Sequence, residues 1–142
     1  MFIMDTDVLS IIQRREQPAS SRLMQRMNEW SISDFHITVI SVHEQMMGAN
    51  AYIKRSSNAR AIAFGYQLIQ QAISDYQRFT ALPYDERDAL RFDELRKQGV
   101  RIGTMDLRIA CIALTSDFTV LTRNTVDFEK VPGLKFQDWT TQ

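Results

Sequence analysis

The sequence predicts an α/β fold of three layers, α/β/α, built on a central parallel sheet. Three observations carry that expectation. Short apolar runs alternate along the chain with segments of helical periodicity, the order that gives a parallel sheet covered on both faces. The first run, Phe2-Ile3-Met4, is too short and too apolar to be anything but a buried strand, and two aspartates, Asp5 and Asp7, follow it at i, i+2 spacing. Acidic or amide residues recur where later strands give way to helices, the edge at which open α/β sheets bind ligands. With 142 residues and no linker or repeat, residues 1–142 are expected to form one domain.

Each element has its own signal. After the first strand, Val8, Ile11 and Ile12 share a helical face, with Asp7 expected as the cap. Pro18 marks a break, and residues 19–30 read as a second helix with Leu23, Met27 and Trp30 on one face. Residues 34–39 are rich in β-branched side chains and read as the second strand. Ser41 is expected to open the next helix, with Glu44 at capping-box spacing and Met46, Met47, Ala49 and Tyr52 as apolar contacts. Residues 54–60 read as a basic turn, and residues 61–78 as a long helix striped by Ile62, Tyr66, Ile69 and Ile73. Residues 79–82, closed by Pro83, form a short third strand. A charged helix over residues 85–97 turns Ala89, Phe92 and Leu95 inward, and Gly99 suits its C-terminal end. Thr104 is expected to cap a largely apolar helix carrying Leu107, Ala110, Cys111 and Leu114. Residues 118–122 form the fourth strand, Asn124 opens a one-turn helix through Phe128, and Lys135-Phe136-Gln137 makes an edge strand before Trp139.

Composition narrows the function class. The apolar fraction of 44% and charged fraction of 24% are those of an ordinary soluble globular chain. No apolar run approaches the roughly 20 residues of a membrane span, and no basic segment precedes the first apolar residues as in a secretory signal. Cys111 is the single cysteine, which excludes an internal disulfide framework and fits a reducing compartment, so a cytoplasmic protein is expected. Seventeen basic and seventeen acidic residues give no net charge, so any nucleic-acid binding must come from a local patch.

The chemistry lies in the acids. Asp5, Glu44, Asp106 and the pair Asn124 and Asp127 all fall at the same predicted sheet edge. Carboxylates crowded in one crevice raise each other's pKa values. A divalent cation relieves that repulsion, and oxygen-only ligands favour Mg²⁺ or Mn²⁺ over zinc. Such an ion also neutralises charge developing on a phosphoryl group. Every member has a purely structural alternative. For Asp5 it is a helix cap, the lesser reading there; for Glu44 the partner of Ser41 in a capping box, for Asp106 a complement to its helix dipole, and for Asp127 a capping partner of Asn124. His36 and His43 make no H-E-x-x-H pattern, and Cys111 reads as a small buried hydrophobe, so zinc is not expected.

Read as motifs, these stretches resemble a known family. Met4-Asp5-Thr6-Asp7-Val8-Leu9-Ser10, Ser41-Val42-His43-Glu44 with Gly48, Ile102 through Ala110, and Leu121 through Phe128 are similar, in order, to the motifs of the PIN-domain ribonucleases. Pro132-Gly133-Leu134 and Asp138-Trp139 match the usual tail. Within that family the chain looks like the VapC-type toxin of a toxin–antitoxin pair. Asp7 replaces the commoner Asn, and Asn124 stands where many members carry an acid. The resemblance implies a Mg²⁺- or Mn²⁺-dependent endoribonuclease with Asp5, Glu44 and Asp106 at the metal and Asp127 as the candidate fourth carboxylate. It implies Thr122 as a hydroxyl beside the site, an RNA substrate, a small cognate antitoxin and a homodimer. Apolar surface around Leu23, Met27, Trp30 and Met46 is the expected partner face.

Several readings stay open beside it. Arg123 is either a clamp on a phosphate or an ordinary surface charge. Lys54, Arg55 and Arg60 are either an outer RNA track or a solvated turn. A non-cutting PIN-like scaffold that binds RNA or protein is a rival, against which Asp5 and Asp106 weigh. In a haloacid-dehalogenase-type phosphatase Asp5 would be nucleophile and Asp7 acid/base, but the later lysine and paired acids that chemistry needs are missing. A response-regulator receiver lacks its adjacent acids and lysine here. A DNA-directed nuclease of the same fold is a further alternative.

Overall fold

Five short strands, all paired in parallel, make a sheet in the order β3-β2-β1-β4-β5. The structure is a computed structural model and describes residues 1–141. In chain order the elements are β1 (Phe2–Met4), α1 (Thr6–Arg14), α2 (Ala19–Met27), a 3₁₀ turn (Ile32–Asp34) and β2 (Phe35–Thr38). There follow α3 (Val39–Arg55), α4 (Ala59–Arg78), β3 (Thr80–Leu82), α5 (Glu86–Lys97) and α6 (Thr104–Ser116). The chain closes with β4 (Thr119–Leu121), α7 (Thr125–Phe128) and β5 (Phe136–Gln137). The three-layer α/β/α expectation therefore holds.

β1 takes the centre because every one of its side chains tolerates complete burial. Alternation along the strand sends them to two cores. Ile3 joins Val120, Leu107 and Ile112 on one face, while Phe2 and Met4 join Leu9, Leu23 and Leu121 on the other. The register explains the pairing, with Ile3 opposite Val120 and Met4 opposite Leu121. His36 lies in β2 with its ring against Phe118 and Nδ1 3.3 Å from the Phe2 carbonyl oxygen, an intra-sheet role far from metal chemistry.

Several boundaries differ from expectation for identifiable reasons. Asp5, not Asp7, caps α1, since its extended backbone leaves Oδ1 to accept from the Val8 N–H at 2.8 Å. α3 starts at Val39, not Ser41. Thr38 is extended and its Oγ1 accepts from the Ser41 N–H at 3.2 Å, so the hydroxyl of a β-branched residue ends a strand and opens a helix in one step. Thr104 is the first residue of α6 rather than its cap; Gly103 occupies that place without a side-chain bond. Arg60 lies inside α4, which shortens the turn to residues 56–58.

Two expected apolar faces are also rearranged. Leu23 and Met27 are core residues, whereas Trp30 lies beyond the end of α2 and is 47% exposed. Leu23 and Met27 therefore offer no partner surface. On α4 the stripe points outward, with Ile62, Tyr66 and Ile73 exposed. Its buried positions are Gly65, Ala72 and Asp75, because α4 packs mainly on α3 and touches the sheet only at its edge strand β3. Gly65 faces the Ile53 side chain so closely that a Cβ there would collide with it. Among the described residues no helix is long and apolar enough to cross a membrane.

Candidate active site

At the carboxyl end of β1 the backbone passes from strand to helix within one residue, and that residue is Asp5. Its N–H donates to the Leu121 carbonyl oxygen at 3.1 Å, continuing the β1–β4 ladder, while its carboxylate caps α1. Only 3% of Asp5 is exposed. Burial pushes its pKa up to about 7, against hydrogen bonds from Thr122 and the Val8 N–H that favour the anion, and nearby Asp7 and Asp106 push it further. The Asp5 cap and the Asp5 site residue are thus one arrangement.

The other members come from the start of α3, the first turn of α6 and the connection after β4. Glu44, from α3, accepts a hydrogen bond at 2.6 Å from the Thr6 hydroxyl, which also stands 2.9 Å from the Ser41 hydroxyl. That contact crosses from α1 to α3 and replaces the expected Ser41–Glu44 capping box. Asp106 sits in the first turn of α6, and burial followed by the charge of Glu44 raises its pKa from its ordinary value. The Asn124 side-chain amide opposes that shift by donating to Asp106 Oδ2 at 3.3 Å.

Asn124 is the connecting piece. Its backbone N–H donates to Thr122 Oγ1 at 2.9 Å, and its Nδ2 donates to Asp127 Oδ2 at 2.9 Å as well as to Asp106. Asp127 accepts from Asn124 and from Lys130, and both bonds hold its pKa below the usual carboxylate value. The open cleft of ≈ 490 Å³ at this edge is lined by Asp5, Thr6, Asp7, Ser10, Glu44, Asp106, Arg123 and Asn124. Asp127 is absent from the lining; it stands behind Asn124. Thr122 is fully buried beneath Asp5. The structure thus gathers Asp5, Glu44, Asp106 and Asn124 and sets Thr122 and Asp127 as their supports.

Sequence reasoning missed Thr6, Ser10 and the partners of Arg123. Thr6 had a legible signal, a hydroxyl directly after Asp5 in the motif. Arg123 donates from Nε and Nη2 to the Asp7 carboxylate at 2.7 and 2.8 Å and from Nη1 to Glu16 at 2.8 Å. These partners lie 116 and 107 residues away in sequence, beyond any local pattern. Asp7 is thereby an ion-pair partner at the rim. Lys54, Arg55, Arg60 and both histidines are not among the lining residues.

The donor set suits a hard divalent cation. Asp5, Glu44 and Asp106 offer oxygen only, and two of these carboxylates carry raised pKa values that a positive charge would reverse. Among the described residues no group of three or more Asp, Glu, His or Cys side chains is placed to hold a metal ion by itself. An open cleft with a few carboxylates is what Mg²⁺ uses, since it keeps waters and shares its coordination with substrate phosphates.

Comparison with known proteins agrees with this geometry. Ribonuclease VapC1 of Haemophilus influenzae (strain R2866) is 36% identical over 86 residues, covering 55% of this chain and 64% of that protein. The tRNA(fMet)-specific endonuclease VapC of Shigella flexneri is 29% identical over 143 residues, covering 98% of each. The solved structure of VapBC-1 from nontypeable Haemophilus influenzae matches with a TM-score of 0.74 and 25% identity, covering 99% of this chain and 98% of that one. The PIN domain family model matches residues 2–134, a span that contains every junction contributing to the cleft, and the chain belongs to the PIN-domain family.

Proposed function

We propose that this chain is a Mg²⁺- or Mn²⁺-dependent endoribonuclease, the toxin of a toxin–antitoxin pair acting in the cytoplasm. The observation that carries the reading is the convergence of Asp5, Glu44, Asp106 and Asn124 on one cleft at the carboxyl edge of the sheet. The printed names of the relatives, ribonuclease and tRNA-specific endonuclease, support it.

Asp5, Glu44 and Asp106 would hold the ion, with Asn124 beside them. When bound, the ion would activate a water and neutralise charge on the phosphate oxygens. The chain's own groups do the positioning. Thr122 and the Val8 N–H fix the Asp5 carboxylate, and the Thr6 hydroxyl fixes Glu44. The Asn124 amide fixes Asp106, and Asp127 with Lys130 fixes Asn124. Such outer contacts orient ligands and are worth roughly 10- to 100-fold in affinity or activity. A second copy and a small antitoxin are the proposed partners. The exposed Ile62, Phe64, Tyr66, Ile73 and Tyr76 of α4 supply unpartnered apolar surface.

The test is incubation of the purified protein with structured RNA, with Mn²⁺ or with a chelator, followed by analysis of product ends. Metal-dependent cleavage leaving 5′-phosphate and 3′-hydroxyl ends, lost in Asp5→Asn and Asp106→Asn, is the expected outcome. Chelator-resistant cleavage or 2′,3′-cyclic phosphate ends would overturn the reading.

A further inference from the structure

The acidic cleft is one end of a polar seam that runs along α1. Thr6 and Gln13 lie seven residues apart, on one helical face and about 10 Å apart along the axis. Thr6 bonds Glu44 at one end of the seam. At the other, Gln13 and Gln45 exchange side-chain amide hydrogen bonds at 3.0 and 3.4 Å. Beyond Gln13 a second concavity of ≈ 470 Å³ opens between the α1–α2 connection and α4.

We propose that this concavity is a nucleotide subsite that receives a guanine base of the RNA close to the cut, a proposal that rests on the ribonuclease reading above. The floor is Asp75, which is only 4% exposed yet forms no ion pair among the described residues. Its carboxylate accepts from Gln13 Nε2 and, at 3.3 Å, from Gln71 Nε2. A carboxylate has about four lone-pair sites, so acceptor capacity remains in a group that lines an open cavity. Gln71 keeps one amide hydrogen and its carbonyl oxygen. Guanine presents two adjacent donors, N1–H and the 2-amino group, which one carboxylate accepts together. Uracil presents a carbonyl oxygen beside its single N–H and meets repulsion there.

The rest of the cavity fits the same ligand. Ile12 and Met24 line it with aliphatic and thioether surface suited to the face of a base. Arg15 and Arg78 also line it and can take the adjoining phosphate, for which the guanidinium fork is well shaped. Those two cations also argue against a basic protein side chain as the occupant, because they would repel it. Single-stranded RNA is read in this way, by splayed bases bound through their Watson–Crick edges. The seam then leads the strand from the base pocket to the acids.

The experiment has two arms on the full chain. In the first, binding of GMP and UMP to metal-free protein is measured by calorimetry, for the natural chain and for Gln71→Ala and Asp75→Asn. In the second, kcat/KM is measured on matched single-stranded oligonucleotides that differ in one base near the cut. GMP is expected to bind roughly tenfold tighter than UMP or better. Asp75→Asn is expected to lose that difference by removing the double acceptor, and Gln71→Ala to narrow it by releasing the carboxylate that Gln71 holds in place, and both to flatten the base preference. Asp75 is buried, so the exposed Gln71→Ala carries the test if Asp75→Asn does not fold. Equal affinities for GMP and UMP, or variants with the natural preference, overturn the subsite. Loss of antitoxin affinity in Gln71→Ala with no effect of GMP also overturns it, and makes the cavity a protein-docking site. GMP discrimination without RNA cleavage leaves the pocket standing and sinks the ribonuclease reading alone.

Discussion

Replacing Asp5 with Asn should stabilise the metal-free protein at neutral and alkaline pH. The native carboxyl has its pKa pushed from 3.8 to about 7, mainly by burial. Below pH 3.8 the group is protonated in both the folded and unfolded states and makes no difference. Between those values the native state holds the proton more tightly than the unfolded chain does, so stability falls as pH rises. Above about 7 the full cost is present. At 1.36 kcal/mol per pH unit that cost is about 4 kcal/mol. Asn keeps an Oδ1 to cap α1 but loses the strength of a charged acceptor toward Thr122 and the Val8 N–H, worth about 1 kcal/mol. The expected gain for Asp5→Asn is therefore about 2–4 kcal/mol at pH 8, shrinking to nothing or reversing near pH 4. Urea unfolding in the presence of a chelator at both pH values measures it, provided the slope is unchanged. Adding Mn²⁺ should raise the natural protein and leave Asp5→Asn where it was, since a ligand stabilises only the state that binds it. A variant less stable than the natural protein at pH 8, or a difference that does not change with pH, would refute the assignment of Asp5 as a buried carboxyl held against its solvation.

Three other outcomes follow from the described contacts. Asn124→Ala removes the donor shared by Asp106 and Asp127 and should lower kcat/KM roughly 10- to 100-fold, whereas Asp127→Asn should cost less, because it supports Asn124 and stays out of the cleft; equal losses in RNA cleavage assays would contradict that ranking. Burial pushes the Cys111 thiol up to about 12, so at pH 8 it should resist iodoacetamide in the native protein and react readily in urea, as mass spectrometry would report. Gly65→Val forces bulk against Ile53 between α3 and α4 and should destabilise by about 1–3 kcal/mol in chemical denaturation; a neutral result would mean the two helices are not closely packed there.

The sequence made the site more legible than the surfaces around it. Asp5 and Asn124 stand where β1 and β4 give way to helices, and parallel topology alone puts such junctions on one edge. Glu44 lies in the second turn of α3 after β2, and Asp106 in the first turn of α6, which follows α5 and reaches that edge without a strand before it. Thr38-Val39-Ile40 misled because its β-branched residues favour a strand, while the Thr38 hydroxyl ends that strand by capping α3. The α4 stripe misled because periodicity reports amphipathicity and not which face is buried. Packing of Gly65 against Ile53 and bonding of Asp75 to Gln13 chose the other face, and both contacts are tertiary. Asp75, Gln13 and Gln71 carry no local signature at all; the pocket they form exists only once α1 and α4 meet.

The place of β1 between β2 and β4 bears on when the cleft comes into being during synthesis. β1 emerges first, but one of its two neighbours, β4, is translated more than a hundred residues later, after α6. Asp5 donates its N–H to Leu121, Asp106 depends on Asn124, and Asp7 waits for Arg123. A ribosome-bound chain ending before β4 therefore carries Asp5, Glu44 and Asp106 without the β1–β4 ladder or the Asn124 amide that complete the site. Insertion of β4 beside β1 is a long-range step that pays its loop-closure entropy before any contact rewards it. The cleft thus completes only after β4 and Asn124 have been made and β4 has taken its place beside β1.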